Sequence, residues 1–166
     1  MSRRSPTKIQ CGFWQFAHEQ QTKGHNFNAA IYYVAAAQLA NRGPSFQLGI
    51  EQSISEDLSA LSIPAEVKGP PPFLWKNEEK TYKVLQVGPI AIGGKIYLTV
   101  NHEVPLWQSN EQVDGWNKEF IRYIKQHFPE YSDAFAGIVV RAMERGTTRE
   151  FGTVDELKTS KDTGSR

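Results

Sequence analysis

The sequence predicts an α+β fold: a mostly antiparallel sheet with a hairpin at about 81–101, and one long amphipathic helix at about 110–128 packed on it. Two observations carry this. The β-rich runs Thr81–Ile92 and Lys95–Asn101 flank Gly93-Gly94, a pair that tolerates positive φ and so suits a tight hairpin. Downstream, Ser109-Asn110-Glu111-Gln112 has capping-box spacing, and Val113, Trp116, Phe120, Ile124 and Phe128 follow at helical intervals.

Taken in order, residues 1–8 read as a mobile N-terminal arm, 9–157 as a single domain and 158–166 as a flexible tail. Ile9–Phe16 (IQCGFWQF) is apolar and aromatic and leans towards β. Phe27–Ala40 divides the evidence. Its alanines, with Asn28 as a cap and Asn41-Arg42-Gly43 as a stop, argue for helix, whereas Ile31-Tyr32-Tyr33-Val34 argues for strand. Ser45–Ile50 alternates like a strand. A capping box at Ser53–Glu56, with Ile54, Leu58 and Leu61, predicts a short helix ending before Pro64. Gly69-Pro70-Pro71-Pro72 is a stiff connector. Pro105 closes the second hairpin strand, and Pro129 stops the long helix after Arg122, Lys125 and His127 near its C-terminus. Ala136–Met143 reads as a last strand or a short helix.

At 166 residues the chain can bury a sizeable core, and its 39% hydrophobic content is that of a globular protein. A net charge of +1 gives no global signature of a nucleic-acid or membrane binder. The single cysteine, Cys11, excludes an intrachain disulfide and fits a reducing compartment. With no long apolar run and no secretory leader pattern, the expectation is a cytoplasmic protein.

Recognisable chemistry is sparse. The histidines at 18, 25, 102 and 127 form no HExxH or paired Cys/His spacing, so no metal is expected, and no glycine pattern cradles a phosphate, so no cofactor is expected. No catalytic residue is assigned. His102 and Glu103 at a strand end, with Asp114 or Glu111 nearby, are the candidates for acid–base work, but adjacent strand residues face opposite ways. Glu111 and Asp114 also suit a helix N-terminus without any catalytic role. Phe73, Trp75 and Trp107, in or beside proline–aromatic loops, are the candidates for anchoring a protein partner, whereas Trp116 falls on the apolar helix face. Arg3 and Arg4 in the arm, with Arg141, Arg145 and Arg149 four apart on a shared face if helical, are candidates for phosphate contacts.

From Pro72 to Tyr123 the chain carries an aromatic strand (Phe73–Trp75), VLQVGP (Val84–Pro89), LTVN (Leu98–Asn101), a proline–aromatic loop (Pro105–Trp107), and Trp116 and Phe120 opening a long helix. This pattern resembles a sporadically distributed, largely uncharacterised family of longer bacterial proteins. The resemblance implies an α+β fold and a bacterial or mobile-element setting, rich in accessory and defence-linked proteins. It also implies that Asn28-Ala29-Ala30-Ile31 opens a strand, and it transfers no catalytic residue. The expectation is therefore a non-enzymatic protein–protein interaction module or accessory subunit. The alternatives are a nucleic-acid-binding protein using the arginines above, and a hydrolase or nuclease centred on His102.

Overall fold

The computed structural model describes residues 8–40 and 56–157. Helices α1 (Lys8–Thr22) and α2 (Asn26–Ala40) are followed by a helical segment, α3 (residues 56–60), and a 3-10 turn at Ala65–Val67. Strands β1 (Phe73–Lys76), β2 (Thr81–Ile92) and β3 (Lys95–Val104) precede α4 (Asn110–His127), the short α5 (Tyr131–Ala134), β4 (Gly137–Glu144) and β5 (Glu150–Glu156). The sheet order is β1-β2-β3-β4-β5. Every neighbouring pair is antiparallel except β3 and β4, which run parallel because α4 crosses between them. The class is α+β with a mostly antiparallel sheet, as expected.

The hairpin is where the sequence places it. Gly93 and Gly94 have φ of 57° and 78°, the doubly positive turn that matches strand twist, and β2 and β3 pair from Ile92↔Lys95 back to Lys83↔Glu103 around a bulge at 84–86. In α4 the Ser109 hydroxyl accepts from the Gln112 amide, and the helix buries Val113, Asn117, Phe120, Ile121, Tyr123 and Ile124. Val84, Leu98, Val100, Ile138 and Val140 from the sheet join Phe27 and Tyr32 of α2, and Phe120 and Ile124 of α4, in one core that spans both sides of the proline connector. Its centre is aromatic. Phe27 stacks on Phe128 at 4.1 Å between ring centroids, Tyr82 on Phe120 at 4.3 Å, and Trp75 lies edge-on or tilted against Phe27, Phe120 and Phe128.

Five expectations are corrected or completed. Ile9–Phe16 belongs to helix α1, not a strand. It has almost no β-branched residues, and Phe13, Trp14, Ala17 and Gln20 repeat at helical spacing on the side facing the core. Residues 28–40 are helix α2, against the strand implied by the resemblance. Every residue from Phe27 to Tyr33 is buried, so the helix shows no polar stripe to betray its period. The helix at 110–127 is thus joined by two further 15-residue helices. Ala136–Met143 resolves as β4, whose first four residues are buried on both faces, and β5 was not anticipated at all. Lys8, assigned to the N-terminal arm, opens helix α1 instead; the rest of the arm, the strand at 45–50, the cap at Ser53 and the C-terminal tail lie outside the described residues.

α1 and α2 form a hairpin around Gly24, whose φ of 77° makes the reversal. A buried amide, Asn28, ties the hairpin down by donating to the Gln20 Oε1 at 2.9 Å and to the Glu130 carbonyl at 2.7 Å. Gln20 in turn donates to Asp133 at 3.0 Å, and Tyr32 donates to the Ala134 carbonyl at 2.8 Å.

Candidate functional site

The segment from Val100 to Trp116 holds most of the side chains that chemistry would recruit, and the fold assigns them separate tasks. Alternation along β3 turns His102 towards the helices and Glu103 to the opposite face. His102 is only 3% exposed and lies 4.6 Å from the Phe120 ring centroid. Its Nε2 meets Asn117 Oδ1 at 2.8 Å. The Asn117 amide nitrogen donates at 3.1 Å to both the Phe151 carbonyl and Thr153 Oγ1, and the Thr153 hydroxyl donates to Asp114 Oδ1 at 2.8 Å. Flipping the amide would set two carbonyl oxygens against each other, so Oδ1 faces the imidazole and His102 donates to it from Nε2. The donors therefore run one way, from His102 through Asn117 and Thr153 to Asp114. Burial pushes the His102 pKa down to about 4, against the opposing pull of the Asn117 hydrogen bond.

The carboxylates are likewise held. Glu103 sits between Lys83 (2.6 Å) and Arg145 (3.5 Å), and the Lys83 contact holds its carboxyl below the usual range. Asp114 is held low first by Lys118 at 2.7 Å and then by Thr153. The hydrolase reading needs His102 in a cleft with a carboxylate in reach. Here it is packed between sheet and helix, and Asp114 is reached only through two intervening side chains. Among the described residues no three His, Cys, Asp or Glu side chains converge to hold a metal ion.

The aromatic candidates are corrected by burial. Trp75 is 1% exposed at the centre of the core, with its indole N–H donating to the Glu66 carbonyl at 2.7 Å. Phe73 is half-buried against the same core. Trp107, 4% exposed, belongs to a second small cluster with Val104, Val113, Ala142 and, at its margin, Trp116. The Arg149 guanidinium lies 4.1 Å from the Trp107 ring centroid and donates to the Trp107 carbonyl at 2.9 Å. The same arginine approaches buried Glu144 at 3.5 Å, and Glu144 also accepts from the Trp107 amide. This clasp locks the 105–109 loop to the β4–β5 turn. Phe73, Trp75 and Trp107 consequently form no shared surface patch.

The arginines do not share a helical face, because Arg141 lies on β4 and Arg145 and Arg149 flank the turn after it. Arg145 answers Glu103 and Arg149 answers Glu144 and Trp107. Arg3 and Arg4 lie outside the described residues.

What the sequence did not disclose is the edge of the sheet. β5 is an outer strand, and among the described residues nothing pairs with its far side. The Glu144 amide bonds to the Arg149 carbonyl and the Leu157 amide to the Ala136 carbonyl. Ladder alternation then turns the backbone groups of 151, 153 and 155 towards β4 and those of Glu150, Gly152, Val154 and Glu156 outward. Charge guards both ends of this strand, but its middle, Phe151-Gly152-Thr153-Val154, has neither charge nor proline, and Val154 is 55% exposed. Beside it, a cleft of about 460 Å³ runs between β5 and α4, lined by Gly115, Lys118, Ile121, Arg122, Lys125 and Thr153–Asp155. At the opposite edge β1 is only four residues long and carries Lys76, and beyond it the outer side of β2 runs past Val84 without a strand partner among the described residues but is interrupted by Pro89.

No helix among the described residues is long and apolar enough to cross a membrane. Comparison of the chain with protein-family models, with curated proteins and with solved structures returns no match.

Proposed function

We propose that this protein is an interaction module, an accessory subunit that takes an extended segment of another protein onto the outer edge of β5. The observation that supports this reading is the row of outward backbone groups at Gly152 and Val154, unguarded by charge and bordered by the α4–β5 cleft. Strand addition supplies affinity from main-chain hydrogen bonds and selectivity from the pockets that receive alternate side chains. Each such bond is worth about 0.5–1.5 kcal/mol net, so the four outward groups of Gly152 and Val154 give a useful anchor without any catalytic apparatus. A cytoplasmic role in a bacterial or mobile-element system, defence-linked in the setting the resemblance implies, belongs to the same proposal.

The test is capture of proteins from the source cells with the tagged wild-type chain and with Gly152→Pro. Proline at 152 removes an outward N–H that β4 does not use, and nothing lies within 3.9 Å of a Cβ built there. A captured protein that is lost with Gly152→Pro, while the thermal unfolding of the variant is unchanged, supports the reading. Capture that is indifferent to the variant contradicts it.

A further inference from the structure

We infer that the segment received by β5 is acidic, with carboxylates at alternate positions facing α4; this deepens the edge-docking reading and rests on it. On a strand added antiparallel to β5, residues bonded to Gly152 and Val154 turn their side chains to the face that carries Val154, and the intervening ones turn into the α4–β5 cleft. The helix wall of that cleft presents Lys118, Arg122 and Lys125. Their rise along the helix is about 6 Å and then about 4.5 Å; the first step is close to the ~6.7 Å between alternate side chains of a strand, and the second is shorter by about 2 Å, within the reach of a lysine side chain.

α4 and β5 advance in the same sense. Asn117 reaches Phe151 and Thr153, and Lys125 pairs with Asp155 further along both elements. Successive cations therefore meet successive inward side chains of the docked strand. Lys118 already answers Asp114 and Lys125 answers Asp155, whereas Arg122 has no ion-pair partner among the described residues. Arg122 is accordingly the main reader of charge, and its planar fork suits a carboxylate. Room is available as well, because a Cβ at Gly115 would meet nothing within 4 Å. An arginine bordering a strand edge that no described residue covers favours a carboxylate-bearing segment over an apolar or basic one.

The experiment selects binders from displayed peptides of fully randomised sequence, using the full chain, Arg122→Glu and Gly152→Pro. The expected result is Asp or Glu recurring at every second position among wild-type binders. Arg122→Glu should lower that enrichment about tenfold, and Gly152→Pro should yield no enriched peptide. Binders that vanish with Gly152→Pro but lack the alternating acids would overturn the acidic occupant and leave edge docking standing. Binders indifferent to Gly152→Pro would overturn both, and a wild-type selection with no enriched sequence would overturn the acidic segment. Sedimentation of the wild type as a dimer that Gly152→Pro dissociates would instead identify the occupant as a second copy of this chain.

Discussion

Acidification offers a quantitative probe of whether His102 is part of the architecture. Its pKa is pushed from the ordinary 6.5 down to about 4 by burial between β3 and α4. Between those values the unfolded chain holds a proton that the folded chain refuses. The stability from the neutral ring is thus complete above 6.5 and is lost as pH falls towards 4. The full interval corresponds to ~3 kcal/mol, of which about 1.4 kcal/mol is lost between about pH 7.5 and about pH 5.5. Urea unfolding at the two pH values measures it, with His102→Gln as the reference. Glutamine can still donate to Asn117 but does not titrate, so the difference between the two proteins subtracts all other ionisable groups. The wild type should lose about 1–1.5 kcal/mol more than the variant on acidification. Equal losses would refute the reasoning, because the imidazole would then exchange protons freely in the folded state and the catalytic reading of His102 would reopen.

Other consequences follow from the same contacts. Phe120→Ala empties a fully buried site against Trp75, Tyr82 and His102, and should cost about 3–5 kcal/mol in chemical unfolding, whereas Leu74→Ala at a 58% exposed position should stay within about 0.5 kcal/mol. Asn117→Leu leaves the buried His102 Nε2–H without its acceptor; a loss of about 2 kcal/mol by the same assay is expected. Arg149→Ala strips Trp107 and Glu144 of their cation, so limited proteolysis should begin to cut at 105–109 while the wild type resists.

The parts legible in the sequence are those whose pattern is local. The β2–β3 hairpin announces itself through Gly93-Gly94, and α4 through Ser109 and a one-sided apolar stripe. Asn117 sits in that stripe between Val113 and Phe120, and a polar residue on an apolar face is a signal for a buried hydrogen-bond partner that sequence reading passed over. α2 was not legible because Phe27 to Tyr33 is buried throughout and the exposed position that follows, Val34, is itself apolar, which erases the contrast between its faces. In α1 the aromatic residues imitate strand composition, and only the core-facing set from Phe13 to Gln20 reveals the period. β5 hid behind three acids and Gly152, and with it the cleft, Arg122 and the outer edge of the sheet. Trp107 and Trp75 misled for a related reason. Proline-flanked aromatics look like exposed anchors until tertiary partners such as Arg149 and the Glu66 carbonyl are known.

The central claim, that the outer edge of β5 is open to receive a strand, is tested most directly by residue-resolved amide hydrogen exchange of the free monomer. The account predicts alternation along β5, with slow exchange at Phe151, Thr153 and Asp155, which bond to β4, and fast exchange at Gly152 and Val154, which face outward. A peptide selected for binding should then slow Gly152 and Val154 alone. Slow exchange at Gly152 and Val154 in the free monomer would mean that the edge is already covered, and would contradict the claim.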